Sequence, residues 1–126
     1  MATVLVVEDH ADTRDVLARM LRGDGYTVVT AGNGWEALIA LDAHPMIDAI
    51  LLDILMPGMD GATFLKIARA TAKTRLIPVL VTSVLSENDV RDRTSVEVDA
   101  YVPKGRIQEV VATLEGMLKN GEHMKA

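Results

Sequence analysis

The chain contains no cysteine among its 126 residues, and aromatic residues make up only 3% of it. Without cysteine it can form neither a disulfide framework nor a thiolate metal site. No apolar run approaches the roughly 18 residues that a membrane helix needs. The sequence does not begin with a charged segment followed by a long apolar run. These absences predict a cytoplasmic domain that has no membrane partner.

Dense basic clusters are also missing. The formal charge is −5, from 13 Lys and Arg against 18 Asp and Glu. No group of basic residues is dense enough to follow a phosphate backbone, which predicts no direct contact with nucleic acid. What the chain does have is 49% hydrophobic and 25% charged residues, a balance typical of a packed globule. Its length suits one domain.

Short apolar runs alternate with stretches of helical period. The apolar runs predict strands at 3–7, 26–31, 48–53, 76–83 and 99–104, and the periodic stretches predict helices at 10–25, 34–44, 61–70, 86–98 and 106–120. This alternation implies an α/β fold, the flavodoxin-like (βα)5 arrangement, with a five-stranded parallel sheet in the order 2-1-3-4-5 and helices on both faces. Residues 1–120 form the predicted domain, and 121–126 a flexible tail.

The sequence pattern predicts the burial of three apolar side chains on the helices. Val16 on the first helix and Ile67 on the third fall on the faces expected to point inward. Trp35, at the start of the second helix, is expected to be partly buried.

Polar side chains follow four of the five predicted strands. Glu8 and Asp9 come after the first strand, Asp53 ends the third, Thr82 lies in the end of the fourth, and Lys104 follows the fifth. In open parallel sheets, ligands bind outside the carboxyl ends of the strands, where the strand order reverses. With the order 2-1-3-4-5, these residues face one crevice.

Three carboxylates in one crevice repel one another, by about 4 kcal/mol for two charges 4 Å apart at an effective dielectric constant of 20. Either one of them holds a proton, or a cation neutralises the group. A set of oxygen ligands without His or Cys selects a hard cation such as Mg²⁺. A cation beside a carboxylate, with a lysine and a hydroxyl opposite, suits phosphoryl transfer, and Asp53 can itself be the nucleophile.

Each of these residues also has a simpler interpretation. Asp53 could be a turn carboxylate, because a proline and a glycine follow it closely. The pair Glu8–Asp9 could cap the first helix, where negative charge is favourable. Lys104 could be a surface lysine, Thr82 could be ordinary strand filler, and Tyr101, in the fifth predicted strand, could be ordinary core packing.

The segments that carry these residues resemble a known family. In chain order they are "VLVVED", "ILLDILMPGMDG", "PVLVTS" and "DAYVPK", each at the end of a predicted strand. Over nearly its whole length the chain is similar to the receiver domains of two-component response regulators. The resemblance implies a phosphorylation-controlled signalling switch in which Asp53 accepts a phosphoryl group from a histidine kinase or a phosphotransfer protein. Such a domain catalyses only its own phosphorylation and dephosphorylation.

The resemblance also implies a metal site and a switch. Asp9 and Asp53 would bind Mg²⁺ directly, Glu8 would hold it through water, and the backbone carbonyl of Leu55 would complete the protein ligands. Lys104 would pair with the phosphoryl oxygens.

Two further residues would couple the phosphoryl group to a binding surface. Thr82 would hydrogen-bond the phosphoryl oxygens, and Tyr101 would swing inward behind it. The surface over residues 86–119 would then change for a downstream protein target or for an output domain.

The sequence departs from the family pattern after Lys104, at Ser83, and at Glu8, which replaces the commoner aspartate. Gly105 follows Lys104 where the family usually has a proline, often after a cis bond; a cis bond before a residue other than proline costs about 2.5–4 kcal/mol, so we predict a trans bond and a rearranged loop. Ser83 stands where a small apolar residue is usual and adds a donor near the phosphoryl group. Leu55 and Val84 are apolar and cannot orient a water, which predicts slow self-dephosphorylation.

Other functions remain open on the sequence. A degenerate receiver would act as a phosphorylation-independent protein-binding module. An aspartyl-phosphate phosphohydrolase would need a second aspartate two residues after the nucleophile, where this chain has Leu55. A flavodoxin-like cofactor protein is disfavoured, because clustered carboxylates would repel the FMN phosphate.

Overall fold

The computed structural model describes residues 2–95 and 98–125, with side chains to residue 119. Five strands alternate with five helices along these residues. The strands are β1 Thr3–Val7, β2 Thr27–Ala31, β3 Ala49–Asp53, β4 Val79–Ser83 and β5 Ala100–Pro103. The helices are α1 Ala11–Gly23, α2 Gly34–Ala43, α3 Gly61–Ala70, α4 Glu87–Thr94 and α5 Ile107–Lys125.

The strands form one parallel sheet in the order β2-β1-β3-β4-β5, which confirms the predicted topology. β3 lies at the centre, and all five of its residues are buried. β5 is an edge strand, so Pro103, which has no N–H to donate, leaves no neighbouring strand without a partner.

Each face of the sheet packs against its own set of helices. On one face, Leu17 and Leu21 of α1 and Val110 and Leu114 of α5 pack on the sheet. On the other face, apolar side chains of α2, α3 and α4 fill the core, with Phe64 fully buried among them. Because side chains alternate along a strand, every second residue of each strand faces the α1/α5 layer.

Some element boundaries differ from the prediction. β4 begins at Val79 rather than at residue 76, because Pro78 cannot donate to the ladder and the chain before it forms successive tight turns. α4 begins as predicted, with the Ser86 hydroxyl accepting the Asp89 N–H, but it ends at Thr94. The predicted continuation over Val96 and Glu97 lies outside the described residues. α5 runs to Lys125, and the tail over 121–126 stays a prediction.

Three predictions about inward-facing side chains are wrong. Trp35 is 63% exposed, because small residues such as Ala37 form the inward face of α2. Val16 and Ile67 are 47% and 37% exposed rather than buried, since their neighbours Leu17 and Ala68 occupy the buried stripes. In the part of the chain that the structure describes, no helix has both the length and the apolar character needed to cross a bilayer.

Candidate functional site

The sheet brings the predicted polar residues together at the carboxyl ends of its strands. Asp53 ends β3 and lies directly across from Thr82 in the β3–β4 ladder. Glu8 follows β1 immediately and Lys104 follows β5. By the alternation of side chains, all four point to the α1/α5 side of the sheet. Consistent with this, Glu8, Thr82 and Lys104 line one small cavity of about 180 Å³ together with α1 and α5.

Three carboxylates converge at this edge. Glu8, Asp9 and Asp53 each offer an oxygen, and these oxygens lie within 4.8 Å of one another. Glu8 is 1% exposed and Asp53 is 2% exposed, while Asp9 is half-buried. Ionised carboxylates are rarely buried without a partner. The predicted acidic cluster is therefore present and mostly removed from water.

Lys104 supplies the positive charge. Its Nζ donates to Asp53 Oδ2 at 3.0 Å and lies 2.9 Å from Glu8 Oε1. Burial by itself would lower the pKa of Lys104, but the two carboxylates outweigh that effect, so its pKa is raised above the ordinary value. Lys104 is thus held as a cation inside the cluster rather than as a free surface lysine.

Glu8 remains incompletely satisfied. Its Oε2 accepts the backbone N–H of His10 at 3.2 Å. Its Oε1 has the Lys104 ammonium close by, but not in hydrogen-bond geometry, and no other described residue bonds to it. Burial raises the pKa of Glu8, and the charge of Asp53 and a side-chain hydrogen bond with Asp9 raise it further, against the lowering effects of the Lys104 ammonium and of the hydrogen bond from the His10 backbone.

These residues fit a hard divalent cation. The donor atoms are all oxygens, and one buried oxygen, Glu8 Oε1, has no hydrogen bond among the described residues. One lysine cannot balance three carboxylates when all three are ionised. Oxygen-only ligand sets favour Mg²⁺ or Ca²⁺ over transition metals. The site could therefore hold such an ion through Glu8, Asp9 and Asp53.

Asp53 also takes part in a turn, as its simpler interpretation predicts, and this role is compatible with its place in the carboxylate cluster. Asp53 Oδ1 accepts the backbone N–H of Leu55 at 3.2 Å, which is an Asx-type turn. This bond fixes the carboxylate at the start of the β3–α3 loop while Oδ2 faces Lys104. The Leu55 carbonyl as a metal ligand stays a prediction.

Thr82 and Tyr101 lie on opposite faces of the sheet. Thr82 is buried at the site, next to Asp53. Tyr101 is half-buried on the α4 side, where its hydroxyl donates to the carbonyl of Leu85 in the β4–α4 loop. Its movement behind Thr82 stays a prediction.

Ser83 does not fulfil its expected role as a donor at the site. It is buried, and its hydroxyl oxygen accepts the backbone N–H of Leu85 at 3.1 Å. The side chain therefore closes a local turn at the end of β4. Its position one residue after Thr82 points it to the α4 side of the sheet, away from the carboxylates.

The loop after Lys104 has the trans peptide bond that the sequence predicts, and its rearrangement relative to the family stays a prediction. The Lys104–Gly105 bond is trans. Arg106 N donates to Pro103 O at 3.2 Å, and Gly105 has φ +99, so residues 103–106 form a type II turn that needs glycine at its third position. Lys104 N also donates to Ser83 O at 2.9 Å, which keeps the start of the turn attached to β4.

Two contributors to the site were missed on the sequence. Arg14 of α1 donates from Nη1 to the carbonyl of Glu8 at 2.9 Å and so holds the loop after β1. Gly61 begins α3 directly against the backbone of Asp53 and Ile54, where any side chain would collide. The glycine is visible in the sequence but the contact is not, because it depends on how α3 returns to the sheet.

Comparisons with known proteins agree with this geometry. The model of the response regulator receiver domain matches residues 4–115. The sensory transduction protein RegX3 of Mycolicibacterium smegmatis is 34% identical over 122 residues, which are 96% of this chain and 52% of RegX3. The chain thus spans about half the length of the curated relatives it matches.

Solved structures with the same fold include a chemotaxis protein and a response regulator. The chemotaxis protein CheY4 of Vibrio cholerae superposes with a TM-score of 0.84 at 28% identity, covering 91% of this chain and 97% of CheY4. The response regulator TrrA of Thermotoga maritima, in complex with Mg²⁺-BeF, gives a TM-score of 0.79 at 28% identity, covering 92% and 98%. The chain belongs to the receiver domain family of two-component response regulators.

Proposed function

We propose that Asp53 accepts a phosphoryl group from the phosphohistidine of a histidine kinase or a phosphotransfer protein, with Mg²⁺ bound beside it. One observation carries the proposal. The carboxylate of Asp53 is buried at the carboxyl end of the central strand, 3.0 Å from the Lys104 ammonium and within 4.8 Å of oxygens of Glu8 and Asp9. A nucleophile, a cation and a metal-binding set therefore lie in one place.

The transfer is a single displacement at phosphorus. One oxygen of Asp53 forms an O–P bond while the P–N bond of the phosphohistidine breaks, and the departing imidazole nitrogen keeps the bonding electron pair. An ionised carboxylate needs no base to activate it. The transition state is loose, so most of the work is positioning and charge neutralisation.

Lys104 neutralises the charge from the protein side. Its ammonium, between Glu8 and Asp53, is within reach of an oxygen of a phosphoryl group on Asp53. Glu8, Asp9 and Asp53 would hold Mg²⁺, with the Leu55 carbonyl as the expected fourth contributor. When bound, Mg²⁺ supplies positive charge to the transferring phosphoryl oxygens. The related response regulator TrrA was solved in complex with Mg²⁺-BeF, which supports a Mg²⁺ ion in the corresponding domain here.

The phosphoryl group would then alter a surface. We infer that Thr82 turns to a phosphoryl oxygen, that Tyr101 changes its contact with Leu85, and that the surface over 86–119 changes with them. The polar helix α4 is the least apolar part of that surface, which makes it easy to shift. The partner would be a downstream protein or an output domain, and the reaction would take place in the cytoplasm.

A mass measurement tests the proposal. The protein is incubated with acetyl phosphate in Mg²⁺ or in EDTA, alongside Asp53→Asn and the matched surface variant Asp92→Asn. We expect one phosphoryl adduct in wild type and in Asp92→Asn with Mg²⁺, and none in EDTA or in Asp53→Asn. No adduct in any sample would favour the degenerate receiver, and rapid turnover to free phosphate would favour the phosphohydrolase.

A further inference from the structure

A second surface lies at the opposite edge of the sheet from the carboxylates. The carboxyl-terminal part of α2 and the segments that follow α2 and α3 line a cavity of about 420 Å³, which we name the α2–α3 cleft. Its apolar floor is formed by Leu38, Leu41, Pro45 and Ile77. The volume is in the range of pockets that bind ligands or partner side chains.

Three exposed apolar side chains are sequence neighbours of residues that line this cleft. Ile39, Met46 and Leu76 are 69%, 77% and 84% exposed, and each directly adjoins a residue of the cleft floor in sequence. Monomeric soluble proteins rarely leave several large apolar side chains exposed beside an apolar cavity, and such a surface usually marks an interaction site. The cleft therefore has the composition of an interface core.

The two walls of the cleft carry opposite charge. Asp42 stands on the α2 wall, and α2 has no basic residue in its last turn to offset the negative end of the helix dipole. Lys73 stands on the other wall, in the loop after α3, with Arg75 two residues further on. The ion pairs found among the described side chains include neither Asp42 nor Lys73.

We propose that the cleft is a self-association surface whose occupant is a second copy of this chain. A twofold axis running along the cleft places the acidic wall of each copy against the basic wall of the other. Asp42 of each copy would face Lys73 of its partner, twice in one dimer, and the exposed Leu76, which precedes the cleft residue Ile77, would pack into the partner's cavity. A partner that carries charge of only one sign would face one wall of the same sign. A second copy carries both signs and can match both walls, so the dipolar cleft favours a second copy.

This dimer is compatible with signalling by the receiver domain. The cleft lies where α2 and α3 end and before β4 begins, at the amino end of the sheet. The carboxylate cluster lies at the other end, and the surface over 86–119 begins after β4. Association through the cleft therefore leaves both accessible, and it requires no phosphorylation.

Sedimentation equilibrium of the full chain tests the proposal, because the charge arrangement gives it a specific signature. We expect the weight-average mass to rise with concentration from one chain of 13.6 kDa toward two. Asp42→Lys alone and Lys73→Asp alone should each weaken dimerisation by about 10- to 100-fold, because both symmetry-related pairs become repulsive. An equimolar mixture of the two variants should restore it, since every pair is then attractive again.

Two more variants separate this surface from others. Leu76→Ser should weaken association without changing charge, whereas Val16→Ser, at an exposed apolar position on α1, should leave it unchanged. All four positions are exposed, and thermal unfolding checks that the variants fold. A wild-type chain that stays monomeric to millimolar concentration overturns the proposal. A dimer whose dissociation constant is unchanged by Asp42→Lys, Lys73→Asp and Leu76→Ser also overturns it.

Discussion

Replacing Lys104 with methionine removes the only cation that contacts the buried carboxylates among the described residues. Its Nζ lies 2.9 Å from Glu8 Oε1 and 3.0 Å from Asp53 Oδ2. At an effective dielectric constant of 20, each attraction is about 5–6 kcal/mol, and desolvation of the ammonium offsets much of it. Removing one partner of a buried ion pair costs about 3–5 kcal/mol, and since the lysine side chain is 27% exposed we expect about 3 kcal/mol.

Urea unfolding of Lys104→Met and wild type, in EDTA and in Mg²⁺, measures this cost. Lys66→Met is the matched control, because Lys66 is exposed on α3. In EDTA only Lys104→Met should lose stability. In Mg²⁺ the loss should shrink, because no ammonium competes with the ion for the carboxylate oxygens and the variant binds it more tightly.

The stability that Lys104 contributes to the folded protein depends on pH in a predictable direction. The pKa of Lys104 is raised above its ordinary 10.5 in the folded state. Its stabilising contribution is therefore complete below pH 10.5 and disappears as the pH rises further, through the folded pKa. A Lys104→Met variant that keeps full stability in EDTA, or that binds Mg²⁺ more weakly than wild type, would contradict the electrostatic account of the site.

Three other substitutions test separate parts of the site. The pKa of Glu8 is raised above 4.5, so Glu8 binds a proton more tightly in the folded protein than in the unfolded chain. As the pH rises from 4.5, wild type should therefore lose stability relative to Glu8→Gln. Urea unfolding in EDTA should find that Glu8→Gln is the more stable of the two at neutral pH. Leu55→Asn should shorten the lifetime of the phosphorylated protein, since an amide can orient the attacking water; an unchanged lifetime by mass measurement would refute this. Gly105→Ala should lower the free energy of unfolding by about 1–2 kcal/mol, measured by thermal or urea unfolding, because alanine disfavours the positive φ of this turn. Gly105→Asn should lower it less, and the control Gly23→Ala should show no such loss.

The fold and the site could be predicted where they depend on local pattern and on the geometry of parallel sheets. The alternation of strands and helices implies parallel strands, and the carboxyl ends of parallel strands lie at one edge of the sheet, which places Glu8, Asp53 and Thr82 there whatever the details of packing. The absence of a cis bond at Gly105 depends on single-residue chemistry, which can be read directly from the sequence.

The errors arose where packing between elements decides the outcome. Trp35 was expected to be partly buried, but alanines and Leu41 already fill the inward face of α2, and only the tertiary contacts reveal this. Ser83 was expected at the site, but its hydroxyl joins the turn to Leu85. The Arg14 contact with the Glu8 carbonyl spans a loop and a helical turn, and no spacing in the sequence specifies it.

The most direct measurement is a crystal structure of the protein grown with Mg²⁺ and beryllium fluoride. The account predicts a metal ion bound by oxygens of Asp9 and Asp53, with Glu8 beside it, and a beryllofluoride group on an Asp53 oxygen in contact with Lys104. A complex in which the ion lies elsewhere, or in which Asp53 stays unmodified while another side chain carries the group, would contradict it.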